Sequence, residues 1–149
     1  MAKKINKKRL LIYSLVFSPD GVSTAYIYND IAQGFQKSNY EVTVLTTTPH
    51  YNIIQESLDK QPLRKCVLGL FFTSNLNGIK VYHIPLKKYK NSLLRILSFI
   101  YWHLVSLIIG LFLKKPDIIL TPSPPLTSGL ISILLARIKG SKSIYNVQE

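Results

Sequence analysis

Apolar residues in this chain fall in short unbroken runs separated by stretches of helical spacing. Residues 9 to 16 are rich in Leu, Ile and Val and stop at a turn, the pattern of a strand buried on both faces. From Thr24, the positions Ile27, Ile31, Ala32 and Phe35 recur every three or four residues and predict a helix. Ser23 or Thr24 can cap its first amides and Asn39 can close its end. Residues 41 to 46, EVTVLT, alternate like a strand and run into the polar loop 47 to 52, TTPHYN. Asn77-Gly78 marks a turn before a third strand, residues 79 to 84, which Pro85 stops. A long apolar helix follows over residues 93 to 113.

Beyond that helix, Pro116-Asp117 opens a fourth strand at 118 to 121, and Pro122, Pro124 and Pro125 prevent its continuation as a paired strand. Leu126 to Lys139 predicts a helix closed by Gly140, and residues 143 to 147 a fifth strand. The stretch 67 to 73, VLGLFFT, reads equally as an extra edge strand or a packed loop. Strands alternating with helices imply right-handed crossovers between parallel strands, so the fold class is a Rossmann-like α/β parallel sheet with helices on both faces. Ligands on such sheets bind beyond the carboxyl ends of the strands. Here those ends are the loops at residues 18 to 21, 48 to 51, 85 to 87 and 122 to 125, and the pair Gln148-Glu149.

Charge narrows the choice of partner. The 149 residues suit one domain, with a basic lead-in at 1 to 8 that lacks the cleavage site of a signal peptide. Nineteen Lys and Arg against seven Asp and Glu give a net charge of +12, which favours an anionic partner. No acid lies between Asp59 and Asp117, an interval that holds ten basic residues flanking the most apolar segment. No nucleic-acid-binding signature accompanies them, and few aromatics interleave with them. Cys66 is the sole cysteine, which excludes a disulfide within the chain and a Cys-based zinc site. His50, His83 and His103 are too scattered for a ligand set, no Asp-x-Asp occurs, and no metal or cofactor is expected. His83, inside a strand, is expected to be packed or exposed rather than functional.

The apolar helix raises the question of a membrane. Twenty-one helical residues reach about 31 Å, enough for a bilayer core. At 100° per residue, however, Ser92, Arg95, Ser98, His103, Ser106 and Gly110 gather in an arc of about 140°. A central histidine is costly in lipid, and lysines flank both ends. The expectation is a crossover helix packed on the sheet that also touches an anionic membrane, with Lys87, Lys88, Lys90, Trp102, Lys114 and Lys115 in contact.

The loop after the first strand, FSPDGVSTAY, carries one glycine where a dinucleotide fingerprint has three, so NAD or FAD binding is disfavoured. Gly21 before a helix N-terminus suits either a plain turn or the approach of a single phosphate. That loop, with EVTVLT and TTPHYN, and further on GIKVY at 78 to 82, PDIIL at 116 to 120, SPPL at 123 to 126 and the closing NVQE, resembles the amino-terminal half of GT-B glycosyltransferases of family 4. Within that family the pattern is similar to bacterial enzymes of the colanic-acid and O-antigen type, WcaI-like or WbuB-like. The likeness extends from Arg9 to the end of the chain.

The resemblance implies a retaining transferase that moves a sugar from a nucleotide-sugar donor to a lipid-linked or saccharide acceptor in surface-polysaccharide synthesis. It places Asp20, Gly21, Val22 and Ser23 beside the donor phosphates, His50, Tyr51 and Ser123 on the acceptor side, and Gln148 and Glu149 at the reacting sugar. It also implies a second, donor-binding domain that residues 9 to 149 do not supply, which leaves three readings open: a fragment, a subunit that meets a separately encoded donor domain, or a remnant. The expected location is the cytoplasm, peripheral to the inner face of the plasma membrane. A non-catalytic membrane-associated module stands as the alternative reading.

Overall fold

A computed structural model describes residues 7–147, which leaves the expected catalytic pair Gln148 and Glu149 outside the described residues. The elements are β1 (Arg9–Tyr13), α1 (Ser23–Lys37), β2 (Glu41–Thr47), α2 (Gln55–Lys60), β3 (Arg64–Cys66), a 3₁₀ turn (Val67–Gly69), β4 (Phe71–Leu76), β5 (Ile79–Ile84), α3 (Ser92–Phe112), β6 (Ile118–Pro122), α4 (Leu126–Lys139) and β7 (Lys142–Asn146). They form one α/β Rossmann-like sheet of seven strands in the order β3-β4-β5-β2-β1-β6-β7. Five of these strands, β5, β2, β1, β6 and β7, run parallel.

The expected all-parallel sheet is corrected at one edge, where β4 pairs antiparallel with β5 and with β3. The cause is local chemistry. Asn77 and Gly78 both take positive φ, 50° and 91°, the geometry of a two-residue hairpin that returns the chain directly. The ambiguous stretch 67 to 73 thus splits into the 3₁₀ turn and the start of an edge strand. The first strand also stops earlier than its apolar run, because the Ser14 hydroxyl donates to the Val16 carbonyl at 2.7 Å and turns the chain. Residues 14 and 16 stay buried all the same.

Alternation along β1 sorts the core into two layers. Leu10 and Ile12, with Val42, Val44, Ile79 and Val81, face Tyr28 and Ala32 of α1. Leu11 and Tyr13, with Leu45, Ile84 and Ile119, face α3 and α4 through Trp102, Val105, Ile109, Leu135 and Ala136. Tyr13 stacks on Trp102 with ring centroids 5.0 Å apart.

Helix α3 packs on the sheet with the carboxy-terminal part of its less apolar arc inward: Ser106 and Gly110 are buried beside Trp102, Val105 and Ile109, while Ser92 and Arg95 stay exposed. Small residues let α4 come close, since a Cβ at Gly110 would lie 2.6 Å from Cδ2 of Leu135. The fully apolar side therefore faces out, and Ile96, Ile100, Leu104, Ile108 and Phe112 form an exposed stripe at four-residue spacing. Leu130, Ile133, Leu134 and Ile138 of α4 extend it. Trp102, expected at a membrane, is completely buried and cannot touch lipid. The lysines at 87, 88, 90, 114 and 115 are exposed at the two ends of α3.

Candidate functional site

The strand order places a topological switch between β1 and β6, where the chain winds outward in opposite directions. Beyond their carboxyl ends lies a crevice of about 220 Å³ walled by Ser14, Leu15, Val16, Val22, Tyr51 and Pro122. Two helices begin at this rim: α1 follows β1 and α4 follows β6. Neither has a side chain capping its first amides, and neither carries an acid in its first turn. Both N-termini thus keep the partial positive charge that draws anions. Ser23 is exposed at the start of α1, and Ser123 is half-buried after β6, its amide donating to the Asn146 carbonyl at 2.8 Å.

Asp20 is almost wholly buried, and what it holds is protein. Its carboxylate accepts from the amides of His50 and Tyr51, each at 3.2 Å, and from that of Asn52 at 2.8 Å. Gly21 completes the clasp: its amide donates to the Asn52 carbonyl at 2.8 Å, and the Asn52 side chain donates back to the Gly21 carbonyl at 2.8 Å. The loops after β1 and β2 are thereby fastened into one wall. Glycine leaves room for this close approach: a Cβ at position 21 would sit 2.5 Å from Cδ1 of Ile54, so that side chain would have to move. The amide of Gly21 and the carboxylate of Asp20 are already engaged, which leaves Val22 and Ser23 as the part of this loop open to a ligand.

On the fastened wall, the His50 ring is held through Nδ1, 2.9 Å from the Thr48 carbonyl and 3.1 Å from the Thr47 hydroxyl. A carbonyl only accepts, so Nδ1 carries the proton and Nε2 offers its lone pair. Burial, first among the causes, lowers the His50 pKa below that of a free imidazole, and nearby Lys88 adds to this; the bond to Thr48 and the charge of Asp20 oppose it. The ring is neutral at pH 7. Tyr51 packs against it at a centroid distance of 4.3 Å and is half-exposed, and the Lys88 ammonium lies 3.9 Å from the Tyr51 centroid. A neutral acceptor nitrogen, an aromatic face and a cation thus stand together at the rim.

A buried polar chain that no local sequence pattern signals supports this wall. Nδ1 of His83 donates to the Thr47 carbonyl at 3.1 Å, and its Nε2 accepts from the Ser74 hydroxyl at 2.7 Å. Gln61 donates to the Ser74 oxygen at 2.7 Å, and the Ser18 hydroxyl donates to Gln61 at 2.6 Å. The chain thus links β5 to the first rim loop through an otherwise featureless glutamine. His83 is wholly packed, as one of the two expectations had it, and burial lowers its pKa to about 4. His103 joins β1 to α4, with Nδ1 2.8 Å from the Tyr13 hydroxyl and Nε2 2.9 Å from that of Thr127. Among the described residues no group of three His, Cys, Asp or Glu could hold a metal ion.

No protein-family profile matches the sequence, and no curated protein matches it. Solved structures do. The catalytic domain of starch synthase IV from Arabidopsis thaliana, bound to ADP and acarbose, superposes with a TM-score of 0.65 at 13% identity. That match covers 96% of this chain and 34% of the starch synthase chain, so the present chain spans about a third of that protein's length. The C-terminal domain of the PF1911 hydrogenase from Pyrococcus furiosus superposes with a TM-score of 0.58 at 16% identity, covering 94% of this chain and 90% of that one. At such identities the likeness is one of fold, and the fold is a Rossmann-like sheet of the kind that forms one half of the starch synthase, a GT-B glycosyltransferase.

Proposed function

We propose that this chain is the acceptor-side domain of a retaining glycosyltransferase that moves a sugar from a nucleotide-sugar donor to a lipid-linked or saccharide acceptor in surface-polysaccharide synthesis. The observation that carries the reading is the crevice at the β1/β6 switch, flanked by two uncapped helix N-termini and by the neutral His50 beside Tyr51. Donor phosphates would lie against the first turn of α1, at Val22 and Ser23, where free amides and the helix dipole stabilise negative charge. The acceptor would lie against His50, Tyr51 and Ser123, one of its hydroxyls donating to Nε2 of His50. Gln148 and Glu149, which lie outside the described residues, are proposed on the resemblance alone as contacts of the reacting sugar. The donor's nucleotide would be held by a second domain, and the starch synthase, whose structure contains ADP, is the precedent for a partner of that kind. Work at the cytoplasmic face of the plasma membrane suits the basic, apolar-faced molecule.

The test is transfer of radiolabelled sugar from a panel of nucleotide sugars into lipid extract or oligosaccharide, using the native gene product together with any partner that co-purifies. Labelled product that disappears in a His50→Ala variant with an unchanged circular dichroism spectrum supports the reading. A folded protein that transfers no sugar from any donor defeats it. The membrane-module alternative would then lead, favoured by the outward apolar stripe of α3.

A further inference from the structure

The face of the sheet under α3 changes character toward the amino-terminal ends of its strands. Leu11, Thr43 and Lys80 lie side by side across β1, β2 and β5, and Arg9 and Glu41 pair beside them at the start of β1 and β2. On the opposite face the neighbouring positions are Leu10, Val42, Ile79 and Val81, all buried. A parallel strand covered on both faces is apolar throughout, so polar positions grouped on one face mark a place that the helix does not fill. Helix α3 ends at Phe112, and the residues that follow it, Leu113, Lys114 and Pro116, enclose with this patch and Tyr82 a cavity of about 260 Å³. It lies at the end of the sheet opposite the β1/β6 crevice.

The negative end of α3 is already neutralised by other cations. Lys139 Nζ donates to the carbonyls of Leu111 and Leu113, the latter at 2.7 Å, and the Arg9 guanidinium donates to the Lys115 carbonyl at 3.3 Å. Arg9 also pairs with Glu41 at 3.3 Å, which cancels the acid on the cavity wall, and the nearby Asp117 carboxylate accepts from the Arg9 amide at 2.7 Å. Among the described residues the other ion pair is Lys60–Glu56, so Lys80 and Lys114 keep their charges unmatched. The Lys80 ammonium lies 4.9 Å from the centroid of Tyr82, whose ring holds it at the cavity wall. Two like charges beside apolar walls repel each other until an anion lies between them.

We propose that this cavity binds a small organic dianion, a phosphate monoester or dicarboxylate with a compact apolar body, its charge on Lys80 and Lys114 and its body against Leu11, Tyr82 and Leu113. The volume is below the span of about 300 to 1,000 Å³ that larger ligands occupy, which limits the body to about one ring or a short chain. The Thr43 hydroxyl, on the same wall, is a donor for an anionic oxygen. A bare inorganic anion would leave the apolar wall uncovered, and a neutral molecule would leave both lysines unmatched. The site is separate from the crevice proposed for glycosyl transfer and does not depend on that reading.

The experiment is a titration of the ¹⁵N-labelled full chain with phenyl phosphate, read from amide shifts at pH 7.5 and fixed ionic strength with no sugar nucleotide present. Phenyl phosphate carries about two charges there. The expected result is a saturating shift at the amides of Leu11, Thr43, Lys80 and Leu113. Its Kd should be about tenfold lower than that of inorganic phosphate, which lacks the body, and of phenyl sulfate, which has one charge; tenfold is the low end for a charged hydrogen bond. Lys80→Gln/Lys114→Gln should weaken binding at least about tenfold, whereas Lys65→Gln/Lys87→Gln, in the larger groove beside the amino-terminal half of α3, should leave it unchanged. Equal affinity for inorganic phosphate overturns the proposal in favour of a plain anion site, and equal affinity for phenyl sulfate overturns the joint role of the two lysines. Shifts centred on Val22, Ser23 and Tyr51 overturn the location, and shifts that do not saturate overturn binding itself. Sugar transfer without binding here leaves the transferase reading intact, and binding here without sugar transfer defeats that reading alone.

Discussion

Acidification should destabilise this protein through His83. The imidazole is completely buried on β5, and both nitrogens are committed in the neutral form, one to the Thr47 carbonyl and one to the Ser74 hydroxyl. Burial lowers its pKa from 6.5 to about 4, against the smaller opposing effect of the Thr47 bond. Above pH 6.5 the ring is neutral in folded and unfolded chains alike, and stability is insensitive to it. Between 6.5 and about 4 the unfolded chain takes up a proton that the folded one refuses, so stability falls as pH falls. At about 1.4 kcal/mol per pH unit, that window is worth about 3 kcal/mol, a large share of the 5–15 kcal/mol typical of a domain. His50 and His103, whose pKa values burial also lowers, act in the same direction, so the contribution of His83 has to be isolated. Urea unfolding of wild type and His83→Gln at half-unit steps from pH 7.5 to 4.5 does so. The wild type should lose stability more steeply below pH 6.5 than the variant, and the His83 ring resonance should not titrate above pH 5. Parallel slopes, or titration of that ring near 6.5, would refute the reasoning.

Asp20→Ala removes the carboxylate that receives three amides of the second rim loop, and a loss of about 3 kcal/mol is expected from denaturant midpoints, since hydrogen bonds to a charged acceptor are the stronger kind. If sugar transfer depends on a neutral His50, its lowered pKa should keep the rate at pH 6.5 above half of its value at pH 7.5, and a rate already halved at 6.5 would contradict that dependence. Leu104→Glu/Ile108→Glu, on the outward stripe, should change stability by less than about 1 kcal/mol while weakening vesicle binding; a cooperative loss of fold would show that those residues are packed.

Much of the sheet was legible because buried parallel strands write themselves as unbroken apolar runs, as in LLIY and IIL. The antiparallel edge was signalled as well, by Asn77-Gly78, but the alternation on its amino-terminal side is weak: Phe71 to Leu76 is only partly buried there, and the pattern blurs. In helix α3 only the place of Trp102 was misread. Hydropathy ranks residues by their affinity for oil, whereas a face packed on a sheet and a second helix is filled by shape, so Ser106 and Gly110 go in beside Trp102 while leucines stay out. The site residues at 20, 21, 50 and 51 were visible as the ends of strands. That Asp20 and Gly21 bind the neighbouring loop depends on a separation of about thirty residues, which no local pattern records. Gln61 and Ser74 carried no signal of any kind.

The place of β1 in the sheet has a consequence for how the chain is made. Its partners are β2, which leaves the ribosome soon afterwards, and β6, whose register begins at Ile118. The Arg9 amide itself waits for the carboxylate of Asp117, 108 residues later. Until residue 118 has emerged, this interior strand therefore presents a bare edge of Leu10, Leu11 and Ile12, a template for pairing with any other nascent chain. Closure comes only when the crossover through α3 is complete, and its long loop makes that step slow. Early protection of this edge, by pausing of translation or by a chaperone, should govern yield more than the stability of the finished fold.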